Sequence, residues 1–281
     1  MKGTLYIVAT PIGNLGDISQ RAIDILKQVD LIAAEDTRHS KILLNHFAIS
    51  TNVSAYHEHN EKQVTEKLIQ ELINGKSIAL ISDAGTPLIN DPGYKLVTAA
   101  HDKLVKVVPI PGVSAVITAL SVSGLSVNRF SFEGYLPAKV EARRKHLQSI
   151  ANETRTLVFY EAPHRIVEVI KEMQEIFGDE RRVTIARELT KQFEQVVRDK
   201  LSVIGEKLKD GTIKIKGEFV VIVEGVTENR MDKAEVLRIN KILSGKLSPS
   251  DAASLTAKIS GRRKNEVYQM VLDQDKVDNP D

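Results

Sequence analysis

A chain of 281 residues is long enough for two domains, or for one large domain with an appendage. With 42% hydrophobic and 27% charged residues, it has the balance of a folded globular protein rather than a disordered or fibrous one. The absence of Cys excludes disulfides, thiolate metal sites and a Cys nucleophile, and a formal net charge of +2 leaves any nucleic-acid affinity to local patches. From the N-terminus, "LYIVA" reads as a strand bounded by Pro11 and Gly13 rather than as a signal peptide. Further strand-length apolar runs follow at 31–34, 78–81 and 105–108. Between them Val64, Leu68, Ile69, Leu72 and Ile73 recur at helical spacing, and Ser114 to Ser123 reads as another helix ending before Gly124. Strands separated by helices predict βαβ units and a mainly parallel sheet. A second series begins near Arg129, with strands at 130–133, 156–160, 183–186 and 219–223 and a helix at 164–176. The expected boundaries are 1–124 and 125–227 for two α/β domains with a cleft between them, and 228–281 for a small all-helical appendage. No apolar run reaches the roughly eighteen residues of a membrane span. The absence of Cys is compatible with the cytosol, and a cytoplasmic protein is expected.

The strand ends carry the chemistry. "ISDAGTPLINDPG" packs Asp83, Gly85, Pro87, Asp91, Pro92 and Gly93 behind a buried strand, where ligands sit in open α/β sheets. A rigid loop without a ligand is the plain alternative. "PIPGVSA" places Gly112 for close backbone approach and Ser114 at a helix start, where free N–H groups suit a carboxylate. "PIGNLGD" contains a GxxG that can clamp a nucleic-acid backbone, or simply lend backbone to a cleft. "AEDTRHS" sets Glu35 and Asp36 beside Arg38 and His39, a group suited to proton transfer or to gripping a phosphate. Its alternative is Asp36 or Thr37 capping a helix with Arg38 paired to an acid. "YHEHNE" (56–61) looks metal-like, but no third ligand follows from the spacing, and no metal is expected. "GKS" at 75–77 lacks the first Gly of a phosphate loop and precedes a strand, and no GxGxxG occurs.

The last fifth of the chain reads as helix, helix, Gly-containing turn and helix. From Arg238 to Lys264 it holds seven basic residues and one acid, Asp251, with Arg262, Arg263 and Lys264 at the turn. That pattern fits either a nucleic-acid-binding helix-turn-helix or a solvated basic face.

Taken in order, "VATPIGNLGD", "AEDTRHS", "YHEHNE", "ISDAGTPLINDPG", "PIPGVSA", "FYEAPHR", "ARELTKQFE" and "KGEFVVIVEG" resemble the ribosomal RNA small subunit methyltransferase I family. That family has the tetrapyrrole methylase fold of class III S-adenosylmethionine methyltransferases. The resemblance implies two α/β domains with S-adenosyl-L-methionine in the cleft, a homodimer, and 2′-O-methylation of a cytidine ribose in the decoding region of 16S rRNA in the small ribosomal subunit. By motif it implies cofactor contacts at Pro11, Ser82, Asp83, Ala84, Gly85, Leu88, Ser114, Ala115, Tyr160, Leu189, Gly217 and Glu218. Arg38, Arg262, Arg263 and Lys264 are the expected RNA contacts. A 2′-hydroxyl is a poor nucleophile until its proton is taken, and Asp36 is the first choice of proton acceptor, with Glu35 and His39 behind it. A tetrapyrrole methylase of the same fold and a non-catalytic rRNA-binding module are the competing readings.

Overall fold

The computed structural model describes residues 2–226 and 233–278. The chain divides into two compact units, Met1–Gly225 and Val226–Asp281. In the first unit, β1 (Thr4–Val8), β2 (Leu31–Ala34), β3 (Val53–Ala55), β4 (Ile78–Ile81) and β5 (Lys106–Ile110) form one sheet in the order β3-β2-β4-β1-β5. Every pair in it is parallel. The helices of this half are α1 (Gln20–Gln28), α2 (Thr37–His46), α3 (Glu61–Ile73), α4 (Tyr94–Asp102) and α5 (Ala115–Val122). Strand alternation explains why β4 is apolar throughout. Ala79 and Ile81 face Leu26, Ile32 and Leu44, while Ile78 and Leu80 face Leu72, Leu96 and Tyr56 on the other side.

The second sheet joins β6 (Phe130–Tyr135), β7 (Thr156–Glu161), β8 (Arg182–Arg187), β9 (Gln195–Lys200) and β10 (Phe219–Val223) in the order β6-β7-β10-β8-β9. Only β6 and β7 are parallel; the other three pairs are antiparallel. The expectation of parallel pairing therefore holds for the first sheet and not for this one. The run "ELTKQFE" is a short connection that returns β9 against β8, and no crossover helix intervenes. Helices α6 (Val140–Ser149), α7 (Ile166–Phe177) and α8 (Leu201–Lys209) belong to this half, and α7 and α8 cover one face around Leu157, Phe159, Ile185 and Val221. The opposite face, Val158, Ala186, Val220 and Ile222, packs on Ile12 and on Val116, Ala119 and Leu120 of α5. One continuous apolar layer thus joins the two sheets and leaves their polar strand ends on either side of a cleft.

The second unit is α9 (Lys233–Ser244), α10 (Pro249–Ser260) and α11 (Lys264–Asp278). The first helix expected here begins at Arg230, and 230–232 lie outside the described residues. Ser248 caps α10 by accepting from the Asp251 N–H, Pro249 occupies its first turn, and Gly261 at φ 65° ends it. Ala253 and Ala257 let the helices close on Val236 and Val267, a small core suited to short helices.

Candidate active site

The loops leaving β1 and β4 are bolted together. Thr10 N–H donates to the Gly85 carbonyl at 2.8 Å, and Gly85 N–H returns to the Thr10 carbonyl at 3.0 Å. Gly85 sits at φ 84°, a backbone that favours Gly, and a Cβ there would stand 3.3 Å from Cγ2 of Ile12, a close contact. Leu88 and Asn90 also adopt left-handed backbone, at φ 74° and 69°, which costs on the order of 1–3 kcal/mol each and persists only where surroundings impose it. Those surroundings are visible. Thr86 Oγ1 donates to Val113 O at 3.0 Å, and the buried Glu61 carboxylate accepts the Gly93 N–H at 3.2 Å. Glu61 is also paired with Lys95 at 2.8 Å and bonded to Tyr56. The segment "YHEHNE" thus ends in an anchor for the β4 loop. Among the described residues, no group of three or more His, Cys, Asp or Glu is arranged to hold a metal ion.

The cleft beside this loop holds a cavity of about 230 Å³. Asp83, Ala84, Gly85, Asp91, Ser114 and Ala115 line it from the first half, and Tyr135, Tyr160, Glu218 and Val220 line it from the second. Pro11, Ser82 and His39 line an adjoining space of about 340 Å³ that shares Ile12, Asp83, Ala84 and Glu218 with the first. Leu189 lines a smaller pocket beneath, with Ala115 and Val220. Of the residues expected to touch a cofactor, Leu88 and Gly217 do not line these spaces. Leu88 packs back against the first-half core, and Gly217, at φ 86°, turns the chain into β10 beside Glu188. Asn90, Asp91 and Tyr135 line the cavity without being among the expected cofactor contacts, although Asp91 was singled out within its loop. The first two sit in the same Gly/Pro-dense loop and were within reach of sequence reasoning; Tyr135 carried no sequence signal.

Carboxylates dominate the electrostatics. Glu35, Asp83, Asp91 and Glu218 line the cavity beside the β4 loop, whose lining among the described residues holds no Lys, Arg or His. Burial, then the neighbouring Glu35, pushes the Asp91 carboxyl up to about 6, against a hydrogen bond from Ser82 that lowers it. Glu35 is raised in the same way, by burial and then by Asp83. Burial and the nearby Asp91 keep the Tyr160 phenol protonated, pushing it up to about 12.

Asp36 has a different occupation. Its side chain accepts from the N–H groups of Arg38 and His39 as the N-cap of α2, and it pairs with Arg38 at 3.2 Å. The hydrogen bonds from Arg38 hold its carboxyl below the usual range. Asp36 is therefore a weaker base than its neighbour, and it is Glu35 that faces the cavity. Arg38 is highly exposed, its guanidinium turned to that cap. In the second unit Arg263 and Lys264 are exposed at the turn after α10, with Lys264 Nζ 2.8 Å from Ser250 Oγ, and Arg262 is half-buried beside them.

Two family models match the chain: Tetrapyrrole (Corrin/Porphyrin) Methylases over residues 4–204, and the RsmI C-terminal HTH domain over 230–275. Fold and cleft together define an S-adenosylmethionine-dependent methyltransferase of the tetrapyrrole methylase class. A uroporphyrin-III C-methyltransferase from Thermus thermophilus, solved with S-adenosylhomocysteine, shares the fold at a TM-score of 0.55 and 17% identity, over 79% of this chain and 97% of that one. At the level of sequence, the protein named ribosomal RNA small subunit methyltransferase I of Xylella fastidiosa (strain Temecula1) is 52% identical over 267 residues, 95% of this chain and 98% of its own length. Its namesake in Vibrio cholerae is 51% identical over 271 residues, 96% of this chain and 94% of its own. The chain belongs to the ribosomal RNA small subunit methyltransferase I family.

Proposed function

We propose that this chain transfers a methyl group to the 2′-hydroxyl of a cytidine in the decoding region of 16S rRNA, acting in the cytoplasm as a homodimer. The reading is supported chiefly by half-identity over nearly the full length to relatives named for the small-subunit RNA. A helical unit rich in basic residues is consistent with it. When bound, S-adenosylmethionine supplies the methyl group from a cationic sulfonium. The cavity suits such a ligand, because its lining offers carboxylates and no competing cation among the described residues. We assign its binding to Asp83, Ala84, Gly85, Ser114, Ala115, Tyr160 and Glu218, which line the cavity, with Pro11, Ser82 and Leu189 in the adjoining spaces.

The protein's part in the reaction is alignment and proton removal. Glu35, raised by burial and Asp83, is the proton acceptor we favour, and His39 lines the neighbouring space. Asp36 orders the first turn of α2 behind Glu35. Arg38, Arg262, Arg263 and Lys264 supply cationic contacts for RNA phosphate. The decisive experiment is transfer of a tritiated methyl group onto unmethylated 30S subunits and, in parallel, onto uroporphyrinogen, followed by nucleoside digestion of the RNA. Label in 2′-O-methylcytidine is expected. Label on a base, or on uroporphyrinogen alone, overturns the proposal.

A further inference from the structure

Strand β6 carries one residue more than the strand beside it. Phe132 pairs with Val158, Gly134 with Phe159 and Tyr135 with Tyr160, which leaves Glu133 as an extra residue. A bulge of this kind sends the side chains beyond it to the opposite face of the sheet. Tyr135 consequently shares a face with Phe132, three positions back. Both rings meet Tyr160, with centroids 4.9 Å and 5.6 Å away. That face looks toward Ile12 and α5, across the cleft. In an unbroken ladder Tyr135 would lie opposite Glu161 and on the side of Leu157 and Phe159, under the helices.

The segment after the bulge is held firmly. Arg165 Nη2 donates to the carbonyls of Leu136 at 2.8 Å and Pro137 at 3.2 Å, and Arg143 Nη1 donates to that of Ala138 at 3.2 Å. Carboxylates hold both guanidiniums in turn, Glu161 beside Arg165 and Glu172 beside Arg143. At the bulge itself Gly134 takes φ 66°, and a Cβ there would stand 2.9 Å from Asn90 Oδ1 of the β4 loop. Yet the ring that this framework positions is 51% exposed at the edge of the cavity. Burial and the carboxylates of Glu218 and Glu161 raise the Tyr135 phenol, so it stays protonated and takes no proton. What it offers is a flat face at a fixed place.

A ribose hydroxyl reaches into such a cleft only when its nucleotide leaves the stack, and an unstacked base is commonly received on an aromatic ring. We propose that Tyr135 is the platform on which the base of the target nucleotide stacks while its ribose enters the cavity. The inference rests on the reading of the chain as an RNA ribose methyltransferase.

The test uses the full-length protein with Tyr135→Phe, Tyr135→Leu and Tyr135→Ala. Methyl transfer onto unmethylated 30S subunits gives KM, and calorimetry with S-adenosylhomocysteine gives cofactor-site affinity. Base stacking on an aromatic side chain corresponds to about a 5- to 150-fold change on truncation to Ala. Tyr135→Ala should raise KM by that factor, Tyr135→Leu by much of it, and Tyr135→Phe by less than about two-fold, with S-adenosylhomocysteine affinity unchanged throughout. Unchanged KM in Tyr135→Ala overturns the inference. So does a parallel loss of S-adenosylhomocysteine affinity, which would assign the ring to the cofactor, and so does a Phe variant as impaired as Ala, which would assign the role to the hydroxyl. If Tyr135→Ala melts early, Tyr135→Leu decides by the same criteria. A wild-type protein that labels no 30S subunits brings down the functional reading itself, an outcome separate from any of these.

Discussion

Asp36 and Asp83 are joined by their own loops: the Asp36 N–H donates to the Asp83 carboxylate at 3.0 Å. In return the Asp83 N–H lies 3.5 Å from Glu35 Oε2. The start of α2 and the loop after β4 are therefore hydrogen-bonded to each other, and Glu35 lines the cavity wall beside that contact. This relationship separates the roles of two adjacent acids. Glu35→Gln should lower kcat by about 10²-fold or more and leave S-adenosylhomocysteine affinity within a few-fold, since general-base catalysis contributes roughly 10²–10⁴. Asp36→Asn keeps an N-cap and should stay within a few-fold of wild type, whereas Asp36→Ala should lose about 0.5–2 kcal/mol of stability. Steady-state kinetics beside a urea melt distinguishes them; a collapse of kcat in Asp36→Asn alone would restore Asp36 as the base.

Filling the cavity without straining the backbone gives a cleaner probe of the cofactor site than any change at Gly85. Gly85 is left-handed, so a larger residue there disturbs the fold as well as the space. Ala84 is exposed at the cavity and carries an ordinary φ. Ala84→Phe should abolish detectable S-adenosylhomocysteine binding in calorimetry with little change in Tm. Retained affinity would place the cofactor elsewhere.

Asp91 gives a prediction with a definite sign. Its folded-state carboxyl is raised from 3.8 to about 6, so between those values the folded state binds more protons than the unfolded one. Stability therefore falls as pH rises through that window, because the charged form is penalised in the fold. Asp91→Asn should raise Tm near pH 7.5, and the gain should shrink to nothing by about pH 4. A thermal-melt series across pH reads this directly, and a gain that persisted at about pH 4 would point to packing instead.

Arg143 is nearly inaccessible and sits between Glu172, at 2.6 Å, and Glu168, at 3.2 Å. Removing one member of a buried pair leaves the other uncompensated, at a cost of about 3–5 kcal/mol. Arg143→Leu should show a loss of that order in urea denaturation, and the double change with Glu172→Leu should recover a good part of it. Additive losses would mean that the pair is not coupled.

In the C-terminal unit, replacing Arg262, Arg263 and Lys264 together with Ala should raise KM for 30S subunits and flatten the salt dependence of binding. For every phosphate no longer neutralised, the log–log slope should fall by about 0.7–0.9. Filter binding across a salt series measures it. An unchanged slope with a lowered Tm would assign these side chains to packing.

Much of the first half was legible because its rules are local. An apolar tetrad such as "IALI", followed by Gly and Pro, marks a doubly covered strand and its ligand-facing loop whatever the neighbours do. Strands β3 and β9 escaped for a shared reason. The former has three residues and is half-buried, and the latter alternates exposed and half-buried positions at a sheet edge, so neither makes an apolar run. The double nature of "AEDTRHS" was also legible, including Asp36 as the cap paired with Arg38, but not that Glu35 would be the acid lining the cleft.

The sequence by itself determined the apolar strands, several of the helices between them, the Gly and Pro turns at the strand ends and the basic helical appendage, since each follows from side-chain period or backbone preference over a few residues. Only the tertiary structure decided the antiparallel pairing of the second sheet, which of Glu35 and Asp36 lines the cavity, and the face on which Tyr135 stands. The physical reason is the same in each case. Strand register and the direction of a carboxylate depend on which partner lies opposite, and those partners are distant in the chain: Tyr160 for Tyr135, and Asp83 for Asp36.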